Sequence, residues 1–283
     1  MTIITTDSAC DLGKIVEERN IPNLPIYVIM DGKEYKDGVD ISAEDIFRIV
    51  KETKKMPKTA ALSQADFEDF FAKQLENGDE IVHIGLSSQL SVTYTNAVNA
   101  SKAFHGKVKV VDSKNLSTGI GLLVMYAKDL ADKGLSADEI VKKVEERVSF
   151  VQASFIIQEV EYLWRGGRLS TLSMLGANLL KIKPQIEVVD GAMKNTAKPR
   201  GKMLPVLKEY IDDMLAKYNN PDPTRCFVTH SHVEPELANE IIEYVKSKNI
   251  FKEVLLTTAG ATITSHCGKG TLGLLYINDG NHE

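Results

Sequence analysis

The chain has 283 residues, 43% hydrophobic and 26% charged, with a formal net charge of −5. That length exceeds one typical domain and allows a substantial core, and the composition excludes disorder and low complexity. The acidic balance argues against a general nucleic-acid binder, which needs a basic face to displace counterions.

In chain order, TIITT (2–6) reads as a short strand that leads through Asp7 and Ser8 to a helical segment from Asp11. The opening MTIITTDSACD has no basic region followed by an apolar one, so no signal peptide is expected and the chain is expected to stay in the cytoplasm. IPNLPIYVIM followed by Asp31 and Gly32 predicts a strand entering a hairpin turn. Ser42 with Asp45, and Ser63 with Asp66, have the spacing of helix N-caps backed by an acidic residue. EIVHIGL (80–86) predicts a buried strand, followed by Ser87, Ser88 and Ser91 and a helix from Val92 to about Phe104. KVKVVD (107–112) predicts the next strand, with Ser113 after it and a helix from about Ser117. The apolar run GIGLLVMYA (119–127) is too short to span a bilayer. Strands alternating with helices imply a parallel sheet with right-handed crossovers, and ligands bind such sheets beyond the carboxyl ends of the strands. Asp7-Ser8, Ser87 to Ser91 and Asp112-Ser113 all fall at that edge.

After a helix beginning near Ser136 the pattern changes. SFIIQEV (154–160) reads as a strand, LWRGGRLS (163–170) as a glycine turn, and PQIEVVDGAMKNTAK (184–198) as an antiparallel hairpin about Asp190 and Gly191. Helices over Met203 to Tyr218 and Pro235 to Lys248 flank the strand RCFVTHS, and EVLLTTAG and LGLLYI supply two more strands. The expected fold is α/β with two domains. A Rossmann-like parallel-sheet domain covers 1–150 and a mixed α+β domain covers 151–283, with the boundary near Val151 and a ligand at or near the interface.

Serine hydroxyls and free N–H groups between a strand and a helix suit a carboxylate or phosphate, and a serine there is also a plain helix cap. Ser8 and Ser113 carry the same ambiguity between capping and lining a cleft. Ser63 reads as a cap, whereas Thr59 has no helix directly after it and is the better binding candidate; with Ser91 it would offer two neutral donors to a carboxylate. Arg168 in RGGR is either a solvated turn residue or a contact for an anion. Gly268, Gly270 and Gly273 have dinucleotide-motif spacing but lead into a strand, the wrong context for a nucleotide. His266, between Ser265 and that glycine loop, is a better site candidate than His83 inside an apolar strand. GLSSQ lacks the second glycine of a nucleophile elbow, Cys10, Cys226 and Cys267 are too scattered for a disulfide framework or zinc site, and His230 and His232 have no partner at a metal-binding spacing. Neither a metal nor a cofactor is expected.

TDS near the start, Thr59 before a helix, IGLSSQLSVTY, VVDS at 110–113, LWRGGRLS, LLKIKPQIEVVDG and SHCGKGTLG occur together in this order. With them the chain resembles, over essentially its whole length, the DegV family of bacterial fatty-acid-binding proteins. The resemblance implies two α/β domains with a long-chain fatty acid held between or under them. It implies a carboxylate bound by Thr59 and Ser91; Ser88, Ser8 and Ser113, read from the sheet edge, are expected in support. It further implies a lipid-binding subunit, not itself an enzyme, that presents the acyl carboxylate to a separate ATP-using fatty-acid kinase subunit for acyl-phosphate formation, with Arg168 and His266 serving the handover. Contact with a membrane surface would be at most transient. This chain departs from the family in having Thr59-Ala60-Ala61-Leu62 where Thr-Ser-Gln-Pro is common, and Val92 where Gly is common. Two rival readings are a serine hydrolase using Ser88 or Ser91 with His266, and a lipid-sensing module that regulates a partner.

Overall fold

The computed structural model describes residues 1–168 and 182–280. Leu169 and Ser170 of the glycine motif, and Leu179 to Lys181 of LLKIKPQIEVVDG, lie outside the described residues. The described strands are β1 (Thr2–Asp7), β2 (Asn23–Leu24), β3 (Tyr27–Met30), β4 (Lys33–Lys36), β5 (Lys58–Ala60), β6 (Glu80–Gly85), β7 (Val108–Asp112), β8 (Val151–Ile156), β9 (Gln185–Val189), β10 (Ala192–Ala197), β11 (Arg225–Ser231), β12 (Glu253–Thr258) and β13 (Thr271–Ile277). The described helices are α1 (Ile15–Glu18), α2 (Ala43–Thr53), α3 (Gln64–Leu75), α4 (Thr93–Ser101), α5 (Thr118–Asp132), α6 (Ala137–Val148), α7 (Val160–Gly166), α8 (Met203–Lys217), α9 (Pro235–Ser247) and α10 (Ala261–Cys267).

Local chemistry accounts for many of these boundaries. Ser42, Ser63 and Ser136 each close a reciprocal capping box, with Asp45, Asp66 and Glu139, satisfying N-terminal donors of α2, α3 and α6. Asp31-Gly32 and Asp190-Gly191 all adopt positive φ, the geometry of a two-residue hairpin turn, and they join β3 to β4 and β9 to β10.

A four-stranded sheet in the order β2-β1-β6-β7 is parallel throughout, as the alternating pattern predicts. The same half also holds an antiparallel sheet, β4-β3-β5, which that pattern did not predict. The six-stranded sheet runs β10-β9-β8-β13-β11-β12 and is antiparallel except for the β11–β12 pair.

One expectation in the later half needs correction, and one element there was not expected. LWRGG is helical, because Leu163 is buried on α7 and Gly167, at φ +67°, ends that helix in the left-handed region. The residues just before the glycine loop, for which no element was expected, form helix α10, with His266 on its last turn. No described helix is long and apolar enough to cross a membrane.

Apolar packing runs between the sheets. One buried cluster unites Ile4, Ile84, Ile120 and Val144 with Val151, Phe227 and Leu275. Another sets Ala261 of α10 and Tyr162 of α7 against Val28, Met30 and Ile46. Arg147 of α6 forms a buried polar tie between the halves. Its guanidinium donates to Asp222 at 2.5 Å and to both oxygens of Asp279 at 2.6 and 2.8 Å, and lies over the Tyr126 ring.

Removing that cation would leave two buried carboxylates without their counter-charge. Arg147→Ala is expected to cost about 3–5 kcal/mol in urea unfolding at pH 7; a cost within experimental error would show the tie to be dispensable.

Candidate functional site

The carboxyl ends of β1, β6 and β7 share one edge, and their acidic residues are spent on shaping the loop after β6. Asp7 Oδ2 accepts from Leu86 N at 2.8 Å, and Asp112 Oδ1 accepts from Ser88 N at 3.2 Å. Ser87 Oγ donates to Gly191 O at 2.7 Å, tying the loop to the β9–β10 turn. A Cβ on Gly191 would lie 2.6 Å from that hydroxyl, so the turn glycine serves this contact as well as its positive φ.

Five of the seven candidate residues, Thr59, Ser88, Ser91, Arg168 and His266, line one cavity of about 360 Å³. Its apolar walls include Leu86, Leu116, Phe155, Leu163, Met193 and Ile263, and its size falls within the range of small-molecule sites. The departures Ala60, Ala61 and Val92 line it too. Val92 has φ −72°, a conformation open to any residue, so valine there is unstrained and adds an exposed apolar side chain.

Ser8 and Ser113 do not line this cavity. Ser8 Oγ donates to Asp37 and accepts from Ile26 N, both at 3.0 Å. Ser113 Oγ donates to Gly85 O at 2.6 Å and accepts from Asn115 N at 3.1 Å. Both hydroxyls brace loops and stand away from the cavity.

Thr59 is on strand β5 rather than in a loop, with Thr59 opposite Val28. That pairing brings its hydroxyl within 2.9 Å of His266 Nε2, across 207 positions of sequence. Ser91 Oγ accepts from Thr93 N at 3.2 Å and pairs with Thr93 Oγ1 at 2.9 Å. Arg168 is exposed and donates from Nη1 to Gly166 O at 2.8 Å.

Burial pushes the His266 imidazole down to about 4, and the nearby Arg168 charge adds to the effect. The ring is therefore neutral at pH 7. Its Nδ1 is shielded from solvent and has no hydrogen-bond partner among the described residues. A Cβ on Gly166 would lie 2.4 Å from that atom. The two glycines of RGGR thus do different work: Gly166 admits the imidazole and Gly167 ends the helix. Only the second was legible as a turn.

Sequence reasoning missed what holds α10 in place. Asp37 accepts from Ala261 N at 2.8 Å and Thr262 N at 3.1 Å, and Asp11 accepts from Gly260 N at 2.8 Å. Ser117 Oγ donates to the other oxygen of Asp11. Burial pushes the Asp11 carboxyl up to about 8, against the pull of the Ser117 and Gly260 hydrogen bonds. The residues around Asp37 gave no sign of this, because the capped helix lies more than 220 positions away.

A family model described as an uncharacterised protein of the DegV family matches residues 1–279. A DegV domain-containing protein of Clostridium acetobutylicum is 34% identical, covering 97% of each chain. A fatty-acid-binding DegV family protein from Thermus thermophilus has a similar structure, with a TM-score of 0.89 at 27% identity, over 98% of this chain and 99% of that one. A stearic acid-binding protein from Eubacterium ventriosum matches at a TM-score of 0.85 and 27% identity, over 98% of each chain.

His266 is expected to titrate near pH 4 by NMR of its ring protons, against an ordinary value of 6.5. Between those values the unfolded chain holds a proton that the folded one does not. The histidine's contribution to stability is therefore complete above about 6.5 and falls as pH drops toward 4. Asp37→Ala should strip the buried donors at the start of α10, cost at least about 2 kcal/mol, and move the His266 titration back toward its ordinary value. An unmoved titration would separate Asp37 from the placement of His266.

Proposed function

Because the chain belongs to the DegV family, we propose that it carries a long-chain fatty acid and presents the acyl carboxylate to a separate ATP-using kinase subunit. The observation that carries this reading is the convergence of Thr59, Ser91, His266 and Arg168 on one apolar-walled cavity. The acyl tail takes the apolar walls, each buried CH₂ contributing about 0.8 kcal/mol. The carboxylate takes the Thr59 and Ser91 hydroxyls, with Ser88 close by. Taking the chain as two units, 1–150 and 151–283, puts the fatty acid at their junction. The carrier works in the cytoplasm, with at most transient membrane-surface contact.

The head-group chemistry suits presentation. With Nε2–H of neutral His266 donating to Thr59, the threonine hydroxyl is left to donate to the carboxylate. Hydroxyl donors satisfy a carboxylate without the bidentate grip of a guanidinium, so an oxygen stays nucleophilic. That oxygen attacks the γ-phosphorus of ATP, the bond from phosphorus to the β–γ bridging oxygen breaks, and acyl phosphate and ADP result. Exposed Arg168 stands at the cavity, able to meet phosphate charge or an acidic partner surface.

The hydrolase reading is disfavoured by the same geometry. His266 Nε2 bonds Thr59 rather than a serine, and among the described residues His266 Nδ1 has no acidic partner to orient a triad.

Mass spectrometry of ligand released from denatured protein is expected to find a long-chain fatty acid. Thr59→Ala with Ser91→Ala should weaken labelled-palmitate retention about tenfold or more. Arg168→Ala should spare retention and slow acyl-phosphate formation with the kinase subunit. A protein that neither releases nor takes up a fatty acid sinks the proposal; uptake without phosphorylation in the reconstituted pair would leave a lipid-sensing module.

A further inference from the structure

Three carboxyl groups, Asp7, Asp11 and Asp37, are buried where β1 ends and α10 begins, at 0%, 4% and 4% exposure. No cation pairs with any of them among the described residues. The other titratable groups facing Asp11 are the buried Cys10 and Cys267 thiols, and Lys14 and Glu17 across the adjoining cleft are exposed. A Cβ on Gly260 would lie 3.1 and 3.2 Å from the two oxygens of Asp37 and 3.4 Å from Asp11 Oδ1, so both carboxyls border one residue. Like charges this close, buried and without a counter-charge, do not all stay ionised; one group keeps its proton.

The hydrogen bonds distinguish the three. Asp7 takes a backbone N–H on each oxygen, from Ala9 at 3.0 Å and Leu86 at 2.8 Å. Asp37 does the same, with Ala261 N on Oδ1 and Thr262 N on Oδ2. An oxygen that carries the proton becomes a poor acceptor, so protonating either residue would weaken a backbone bond. Asp11 differs. Its Oδ1 accepts from Gly260 N, and its Oδ2 meets the Ser117 hydroxyl, which can accept as well as donate. The neutral acid therefore keeps both contacts. Burial pushes Asp11 up to about 8 and Asp7 up to about 6, which ranks them in the same order.

We propose that Asp11 holds the proton of this cluster in the folded protein, and that the proton is a latch on α10. With it in place, Asp37 carries the charge at the start of the helix. When it leaves, two like charges meet across Gly260 and the hold of the early strands on α10 loosens. This goes beyond the fatty-acid reading and does not depend on it.

Asp11→Asn tests the latch, because its amide oxygen can accept from Gly260 N, its NH₂ can donate to Ser117, and it cannot ionise. In urea, the unfolding constant of the intact protein relative to Asp11→Asn is expected to rise about tenfold per pH unit from about pH 5 to 7 and to level off above about 8, since the unfolded chain releases a proton that the folded one keeps. The Gly260 amide resonance is expected to titrate near pH 8 in the intact protein and to stay flat in Asp11→Asn. Hydrogen exchange at the Thr262 amide, corrected for its intrinsic rate, should quicken with that titration. Parallel pH curves for the two proteins, a flat Gly260 resonance in the intact protein, an Asp11→Asn that does not fold, or a titration without faster Thr262 exchange would each overturn the inference.

Discussion

The geometry of the cavity hangs on two buried carboxylates at the start of a seven-residue helix. Asp37 and Asp11 take the N–H groups of Gly260, Ala261 and Thr262, donors that the first turn of a helix cannot satisfy internally. A helix this short has little stability of its own. Its place comes from these caps and from the packing of Ala261 against Val28, Met30 and Ile46. The carboxylates are braced in turn by Ser8 and Ser117. A cap contributed by the early part of the chain thus positions a helix contributed by the last part, and that helix brings Thr262, His266 and Cys267 to the cavity.

The electrostatics of the two regions differ in kind. Around the caps, burial disfavours charge on Asp11 and Asp7, and hydrogen bonds from backbone or serine partly restore it. At the cavity, burial disfavours charge on His266, and exposed Arg168 reinforces the effect. The polar lining of the cavity therefore includes a neutral imidazole and hydroxyls, with the Arg168 cation held to the side by Gly166 O. Under the proposed function, such a lining would solvate a carboxylate while leaving its lone pairs available.

Legibility in the sequence followed the range of the interactions. Capping boxes at Ser42, Ser63 and Ser136, and the hairpin turns at Asp31-Gly32 and Asp190-Gly191, are local, and the residues announce them. Strand β5, which carries Thr59 and adds a third strand to the β3–β4 hairpin, was not announced, because it is only three residues long and pairs with a strand about thirty positions earlier. Helix α10 was hidden by its glycine surroundings and by β-branched Thr262, Ile263 and Thr264, whose intrinsic preference is for strand. Ser8 and Ser113 looked like their neighbours Ser88 and Ser91. Only the direction of each hydroxyl, toward Asp37 and Gly85 in the first pair, separates them.

The sequence by itself determined the parallel sheet of the first half, the hairpins, most helix starts, the family and the set of polar residues worth watching. These follow from periodicity, turn chemistry and motif identity, all carried by neighbouring residues. The tertiary structure alone decided which of those residues meet. Thr59 reaches His266 across 207 positions, Asp37 caps α10 from 224 positions away, and Gly166 matters because an imidazole from another helix lies against it. Hydrogen bonds and close contacts act over a few ångströms of space, and chain separation carries no trace of them until the sheets are packed.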